Sequence, residues 1–262
     1  MVPSHIGSIF VRRWGLAVNK SLRRLWIAAG YHDKMGSAEV LPPPGGGFRR
    51  LYHLTTAEYA ISNIVFHRIK VARFSQMNDP FELSASHGSN RPDQEKERKA
   101  REGLDEKFGA LCFSQNWTDP VLWSHYAARH RGVCLGFDVK QATQVVYTSS
   151  RPADGFKNLE TVKEVVLRTK FKSWEYEKEW RRLVQLGNAT KEGDLHFCPF
   201  DDTLRLAEVI LGPLCSLNID ALRSAVEKHG PDAVAFRSQL AFNSFNVVPD
   251  ESTVPSYPHS GT

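Results

Sequence analysis

Residues 122–138 read LWSHYAARHRGVCLGFD, and this stretch passes from a helical period to a strand within one breath of chain. Asp119 before Pro120 supplies an N-cap with proline at the first helical position, and Gly132 is a natural stop, so one helix is predicted over residues 121–131. At 100° per residue Leu122, Trp123, Tyr126, Ala127 and His130 share a stripe. That stripe makes His130 a core histidine with a hydrogen-bonded ring nitrogen and leaves His125 at its edge, towards a pocket. Beyond the glycine, VCLGF is a short apolar run that reads as a buried strand. A helix followed by a buried strand, with no βαβ rhythm elsewhere, makes the class α+β.

Two histidines and Cys134 so close together raise the question of a metal. His125 and His130 lie five positions apart, about 140° around a helix, whereas helical metal ligands sit four apart on one face. Cys134 lies past the helix stop, so no metal site is expected.

Outward from this stretch the pattern is one of short elements. LYHL (residues 51–54) reads as a strand, and Thr55 with Glu58 forms a capping box for a helix reaching about His67. His53 therefore stands at a strand-to-helix corner. IKVARF follows as a strand, and the Asp79-Pro80 of FSQMNDPFEL and the Asp119-Pro120 of FSQNWTDPVLW build two similar corners. Residues 91–107 mix both charge signs at helical propensity and read as a solvated helix, residues 158–169 as another helix, and EVILG as a buried strand before a helix over residues 216–228.

The chain has 262 residues, 41% hydrophobic and 24% charged, the composition of an ordinary globular protein. Its net charge of +5 is unevenly spread: residues 1–50 carry +6 and the remainder −1. Residues 1–47 accordingly read as a basic extension closed by the Pro/Gly linker PPPGGG, residues 48–250 as one α+β domain, and residues 251–262 as a flexible tail. No run approaches a membrane span and the N-terminus has no uninterrupted apolar core, so a cytoplasmic protein without a membrane partner is expected. Cys112, Cys134, Cys198 and Cys215 follow neither a metal nor a disulfide spacing and read as free thiols.

There is no GxSxG, GxxxxGK[ST] or HExxH, which removes the main support for hydrolase and NTPase readings. The remaining constellation is WEYEKEWRRLV. As a strand it puts Glu175, Glu177, Glu179 and Arg181 on one face and buries Trp174, Tyr176 and Trp180 on the other, although the same residues tolerate a helix. The plain reading is a solvated acidic face. The functional one is a rigid carboxylate that stabilises an oxocarbenium as a glycosidic bond breaks.

LYHLT, FSQMNDPFE, CFS, LWSHYAARHRGVCLGFD and KFKSWEYEKEWRRLV, in this order, resemble domain-of-unknown-function family 2971, a prokaryotic group, over about residues 52–212. The likeness rests on Asn78, Asp79, Pro80, Phe81 and Glu82, on Phe113 and Ser114, on Trp123, His125, Tyr126 and Gly132, and on Trp174, Glu177, Glu179 and Arg181. It brings no chemistry with it. YHLTTAEYAISNIVFHRIKVA is also similar to the opening of ADP-ribosyltransferases of the His-Tyr-Glu type, which implies an ADP-ribosyltransferase-like split sheet.

The second resemblance implies that NAD is the substrate, that no metal is used, and that ADP-ribose passes to a macromolecular acceptor, nucleic acid or protein, as in a toxin or defence factor. His53 and Thr55 would orient the ribose and adenosine, and Tyr126 would fill the tyrosine slot, with Tyr126 or Trp123 stacking on nicotinamide. Glu179 or Glu177 would be the catalytic carboxylate, and Arg181 would fix it or a phosphate. Asn78, Asp79 and His125 are the further candidates for NAD contacts. The alternatives are a non-catalytic module binding a nucleotide or a partner, and a nuclease using His125 and Glu179.

Overall fold

Alternation in LYHL sets the first strand, β1 (Arg49–Thr55), which sends Leu51 to one side of the sheet and Tyr52 and Leu54 to the other. The computed structural model describes residues 39–81, 91–150, 166–230 and 232–255. Most of the basic extension, Glu82, residues 158–165 of an expected helix and the end of the tail lie outside them.

After β1 comes α1 (Ala57–Val65), capped by Thr56, whose hydroxyl accepts from the Tyr59 N–H at 3.4 Å. The cap is thus one residue later than the expected Thr55, because Thr55 still pairs with Val133 in the sheet. Then follow β2 (Arg68–Arg73), α2 (Arg91–Lys107), β3 (Phe108–Ser114), α3 (Pro120–Tyr126) and β4 (Val133–Val139). Short strands β5 (Thr143–Gln144), β6 (Val146–Thr148) and β7 (Thr169–Phe171) lead to β8 (Glu179–Gln185), β9 (Thr190–Glu192), β10 (Leu195–Pro199) and β11 (Leu204–Leu211). The chain closes with α4 (Ile219–His229), β12 (Val234–Leu240) and β13 (Val247–Pro249).

The main sheet runs β13-β12-β11-β4-β1-β3-β2-β10-β9, with β8 on the other edge of β3 and β5 on β8. The fold is α+β. One unit departs from the expected lack of βαβ rhythm: β11 and β12 are parallel and joined through α4. One face of the sheet buries Leu51, Phe113 and Phe137 with Ala60 and Ile64 of α1 and Leu222 and Val226 of α4. The other buries Tyr52, Leu54, Ile210 and Phe236 with Leu122 and Trp123 of α3 and with Trp117.

The sheet is weakest in its middle. β4 follows β1 from Arg49↔Val139 to Thr55↔Val133, and β8 follows β3 from Phe108↔Gln185 to Ser114↔Glu179, but β1 meets β3 at Tyr52↔Ser114 alone. β2 takes the other end of the same β3 edge, at Ala110 and Gly109. In the opening between them His53 Nδ1–H donates to the Cys112 carbonyl at 3.1 Å, so the ring substitutes for a ladder bond.

Three expected elements are corrected: in its described part, the helix expected over residues 158–169 is a 3-10 turn (Val166–Arg168) leading into β7. The helix predicted over residues 121–131 ends at Tyr126, because Ala128, Arg129 and His130 all adopt left-handed φ values (47°, 55° and 68°). His130 is therefore half-buried and lies off the core stripe, with Nε2 3.0 Å from the Ser124 hydroxyl. The strand expected throughout WEYEKEWRRLV begins only at Glu179, after a 3-10 turn (Lys172–Glu177) and a left-handed Lys178 (φ 44°). The pairing with β3 closes where the Gln115 N–H donates to the Lys178 carbonyl at 3.0 Å, and the left-handed Lys178 turns the preceding segment out of the sheet. Glu175 leaves the acidic face for an ion pair with Lys172, and only Glu179 and Arg181 keep the period-two relation.

Candidate functional site

Where β3 ends and β8 begins, four charged side chains come together beneath the surface: Lys170 of β7, Glu177 of the 3-10 turn, and Glu179 and Arg181 of β8, each under 10% exposed. Arg181 Nε donates to Glu179 Oε1 at 2.7 Å and its terminal nitrogen to Oε2 at 3.1 Å, while Lys170 Nζ reaches Glu179 Oε2 at 3.0 Å and Glu177 Oε2 at 2.5 Å. The Tyr126 hydroxyl donates to Glu177 Oε1, and the Glu179 N–H donates to the Tyr147 hydroxyl at 2.8 Å. Two cations thus balance two carboxylates, the condition for burying any of them.

The two glutamates, two residues apart, are driven in opposite directions. Burial alone would raise Glu179, but Arg181 and Lys170 outweigh it and hold the carboxyl at about 2. Glu177 is also raised by burial, and Lys170 and Tyr126 do not fully offset this, so it stays above the usual carboxylate range. Desolvation and the Glu177 charge push Tyr126 far up, with Asn78 opposing through a hydrogen bond, so the phenol remains a donor. Burial would lower Lys170, yet Glu179 and Glu177 raise it and it remains a cation.

Around this core lies a half-open aromatic surface. Lys170 Nζ sits 4.9 Å from the Trp174 ring centroid, and Trp174 packs on Tyr176 at 6.2 Å. The Tyr176 hydroxyl is 2.9 Å from His125 Nδ1 on exposed α3 surface. Tyr126, Tyr176 and Trp174 each keep part of their surface in solvent.

Tyr126, His125, Asn78, Glu179, Glu177 and Arg181, all marked in the sequence, therefore gather in one place. Others do not join them. His53 shares the opposite face of the sheet with Leu51 and Phe113, whose ring lies 6.3 Å from its own, and burial lowers its pKa despite the Cys112 bond. Trp123 is fully buried, with its indole N–H donating to the Trp117 carbonyl at 2.6 Å, so its ring is core and offers no face for stacking. Thr55 is 8% exposed under the turn before Gly132. Asp79 is buried and accepts from the Phe81 N–H at 2.9 Å, which makes it a turn former. The residues that the sequence reading did not single out are Lys170 and Tyr147; a lone lysine in TKF and a tyrosine in VYT carry no local signal.

Among the described residues no group of three or more His, Cys, Asp or Glu is placed to hold a metal ion, and no helix is long and apolar enough to cross a membrane. Neither a scan against protein-family models nor searches of curated proteins and of solved structures give a match.

Proposed function

We propose that the Tyr126–Glu177–Lys170–Glu179–Arg181 cluster binds NAD and cleaves it at the nicotinamide–ribose bond, passing ADP-ribose to a macromolecular acceptor. The observation that supports this reading is the pair of carboxylates joined through Lys170, the outer one touching Tyr126 and the inner one locked by Arg181. Such a division gives one carboxylate that stays charged and one that can take a proton. As the C1′–N bond breaks, its electron pair leaves on neutral nicotinamide, and Glu177, backed by the field of Glu179, stabilises the oxocarbenium. The acceptor nucleophile then bonds to C1′ and its proton passes to Glu177. Trp174 or Tyr176 supplies the stacking face in place of Trp123, and Asn78 and Tyr126 the hydroxyl contacts in place of His53. A toxin or defence role in the cytoplasm accompanies this reading.

Glu177→Gln keeps the size and shape of the side chain and removes the charge. Turnover of NAD is expected to fall by about a hundredfold to a thousandfold, with NAD affinity by calorimetry little changed. A wild-type chain that neither binds nor consumes NAD, with or without nucleic-acid or protein acceptors, overturns the reading. One observation favours a non-catalytic nucleotide-binding module as a second reading: every oxygen of Glu177 and Glu179 already has a protein donor. That module would bind NAD or a related nucleotide without consuming it. The nuclease reading gains no such support, since His125 is engaged by Tyr176 and Glu179 is enclosed.

A further inference from the structure

Antiparallel pairing of β5 with β8 runs Thr143↔Arg181 and Gln144↔Trp180, so the next rung joins Val145 to Glu179. Only half of that rung forms. The Val145 N–H donates to the Glu179 carbonyl at 2.9 Å, but the Glu179 N–H, which a ladder would return to the Val145 carbonyl, goes to the Tyr147 hydroxyl at 2.8 Å. The phenol thus replaces a backbone acceptor. Its strand brings it there: β6 pairs with β7 in parallel with Tyr147 opposite Lys170, so both side chains leave the ribbon on one face. Lys170 reaches the two carboxylates, and Tyr147 the backbone beside them. β6 also packs on the 3-10 turn that carries Trp174, Tyr176 and Glu177, and Tyr147 keeps part of its surface in solvent.

A carbonyl in this place would only accept, whereas a phenol brings a proton as well. Neither glutamate takes that proton. Glu177 is filled by Tyr126 and Lys170 and Glu179 by Arg181 and Lys170, and no acceptor for the Tyr147 O–H stands among the described residues. Burial raises Tyr147 to about 12 against the Glu179 N–H bond, so the hydroxyl keeps its proton. The carboxylates admit a ligand hydroxyl only by giving up a protein donor, but Tyr147 can donate to a ligand oxygen with every existing bond kept. The charges of Glu179 and Glu177 act on this hydroxyl more strongly than that of Lys170. Such a field disfavours a phosphate oxygen and suits a neutral one.

We propose that Tyr147 is a ligand-contacting residue of this site, holding the Glu179 N–H on its oxygen while its own proton goes to a hydroxyl oxygen of the nicotinamide ribose. The inference rests on the reading that the cluster binds NAD, and it holds whether or not NAD is then cleaved.

Calorimetry of the full chain tests this, with NAD and with two analogues whose nicotinamide ribose lacks the 2′- or the 3′-hydroxyl. The wild type is expected to bind one analogue about five- to tenfold more weakly than NAD, the effect of one neutral hydrogen bond. Tyr147→Phe should show the same loss for NAD itself and no longer tell NAD from that analogue. Where NAD is turned over, KM should rise with Kd while kcat changes little. A phenol that serves only as a ladder acceptor predicts a different outcome: Tyr147→Phe lowers the melting temperature, and the analogue penalty stays as in the wild type. That result overturns the proposal. So does a wild type that binds NAD and both analogues equally, a measurement that needs no variant to fold. A wild type without affinity for NAD removes the nucleotide reading of the cluster and this proposal with it, whereas a wild type that binds NAD no better than Tyr147→Phe does removes this proposal alone.

Discussion

Two glutamates two residues apart make opposite predictions. Glu179 is enclosed between Arg181 and Lys170, so Glu179→Gln leaves two cations facing a neutral amide. Breaking a buried pair in this way is expected to cost about 3–5 kcal/mol in chemical denaturation. The pH dependence has a definite sign. The Glu179 carboxyl is depressed from 4.5 to about 2, so its stabilisation is present above the unfolded value and is lost as pH falls between the two. Comparing wild type with Glu179→Gln over that window should show the wild type losing its advantage; a constant difference would mean that the ion pairs contribute nothing. Glu177→Gln keeps an acceptor oxygen for Lys170 and turns its amide N–H2 to the Tyr126 hydroxyl, which can accept in place of donating, so its effect should appear in turnover and less in stability. If Glu177→Gln instead unfolds the chain while Glu179→Gln is silent, inner and outer carboxylates have been exchanged.

At the scale of elements, the left-handed turn after α3 explains why sequence periodicity failed where it did. Three consecutive non-glycine residues at positive φ oppose local preference, at a cost of about 1–2 kcal/mol each. They are held by distant chain: the Leu214 N–H bonds to the His130 carbonyl, and the Gly212 N–H to the Gly132 carbonyl at 3.0 Å. A Cβ on Gly132 would stand 2.2 Å from the Thr55 carbonyl oxygen, backbone that cannot yield. Gly132→Ala should therefore be destabilising by several kcal/mol, whereas Ala128→Gly, which removes strain and touches nothing else, should raise stability by roughly 1 kcal/mol. Equal effects of the two in a denaturant titration would refute this account of the turn. The Asp119-Pro120 start of α3 was legible because capping is local, while its end was set by β1 and the loop after β11, which no window around residue 130 contains. WEYEKEWRRLV failed for a similar reason: its strand character depends on β3 being there to pair, and that pairing closes at the Gln115–Lys178 bond.

Over the whole molecule, the candidate site draws on α3, β7, a 3-10 turn and β8, so the sequence could nominate Tyr126, Glu177, Glu179 and Arg181 but not the lysine that ties them together. The same holds for the boundary of the folded body. PPPGGG reads as a linker that places the start at residue 48, yet the residues before it are engaged. Val40 packs on the cluster containing Tyr52 and Trp123, and the Leu41 N–H, together with the Tyr52 hydroxyl, bonds to Glu208, a carboxylate 1% exposed whose Oε2 is left without a hydrogen-bond partner. Arg50 gives this carboxylate only a 3.5 Å contact while pairing closely with Asp138, and burial still raises Glu208 above its usual range. Losing the Leu41 donor leaves a buried acid less satisfied, a cost of about 1–3 kcal/mol, and losing Val40 adds part of one apolar side chain. A chain that starts at Phe48 should therefore melt roughly 5–10 °C below one that starts at Glu39, given about 2–4 °C per kcal/mol at this size. Raising the pH should widen the gap, because a raised carboxyl favours the folded state below its unfolded pKa and loses that contribution as pH climbs through the folded value. The two truncations compared by calorimetry at pH 5 and pH 8 decide it: identical melting at both would put the boundary at residue 48 after all.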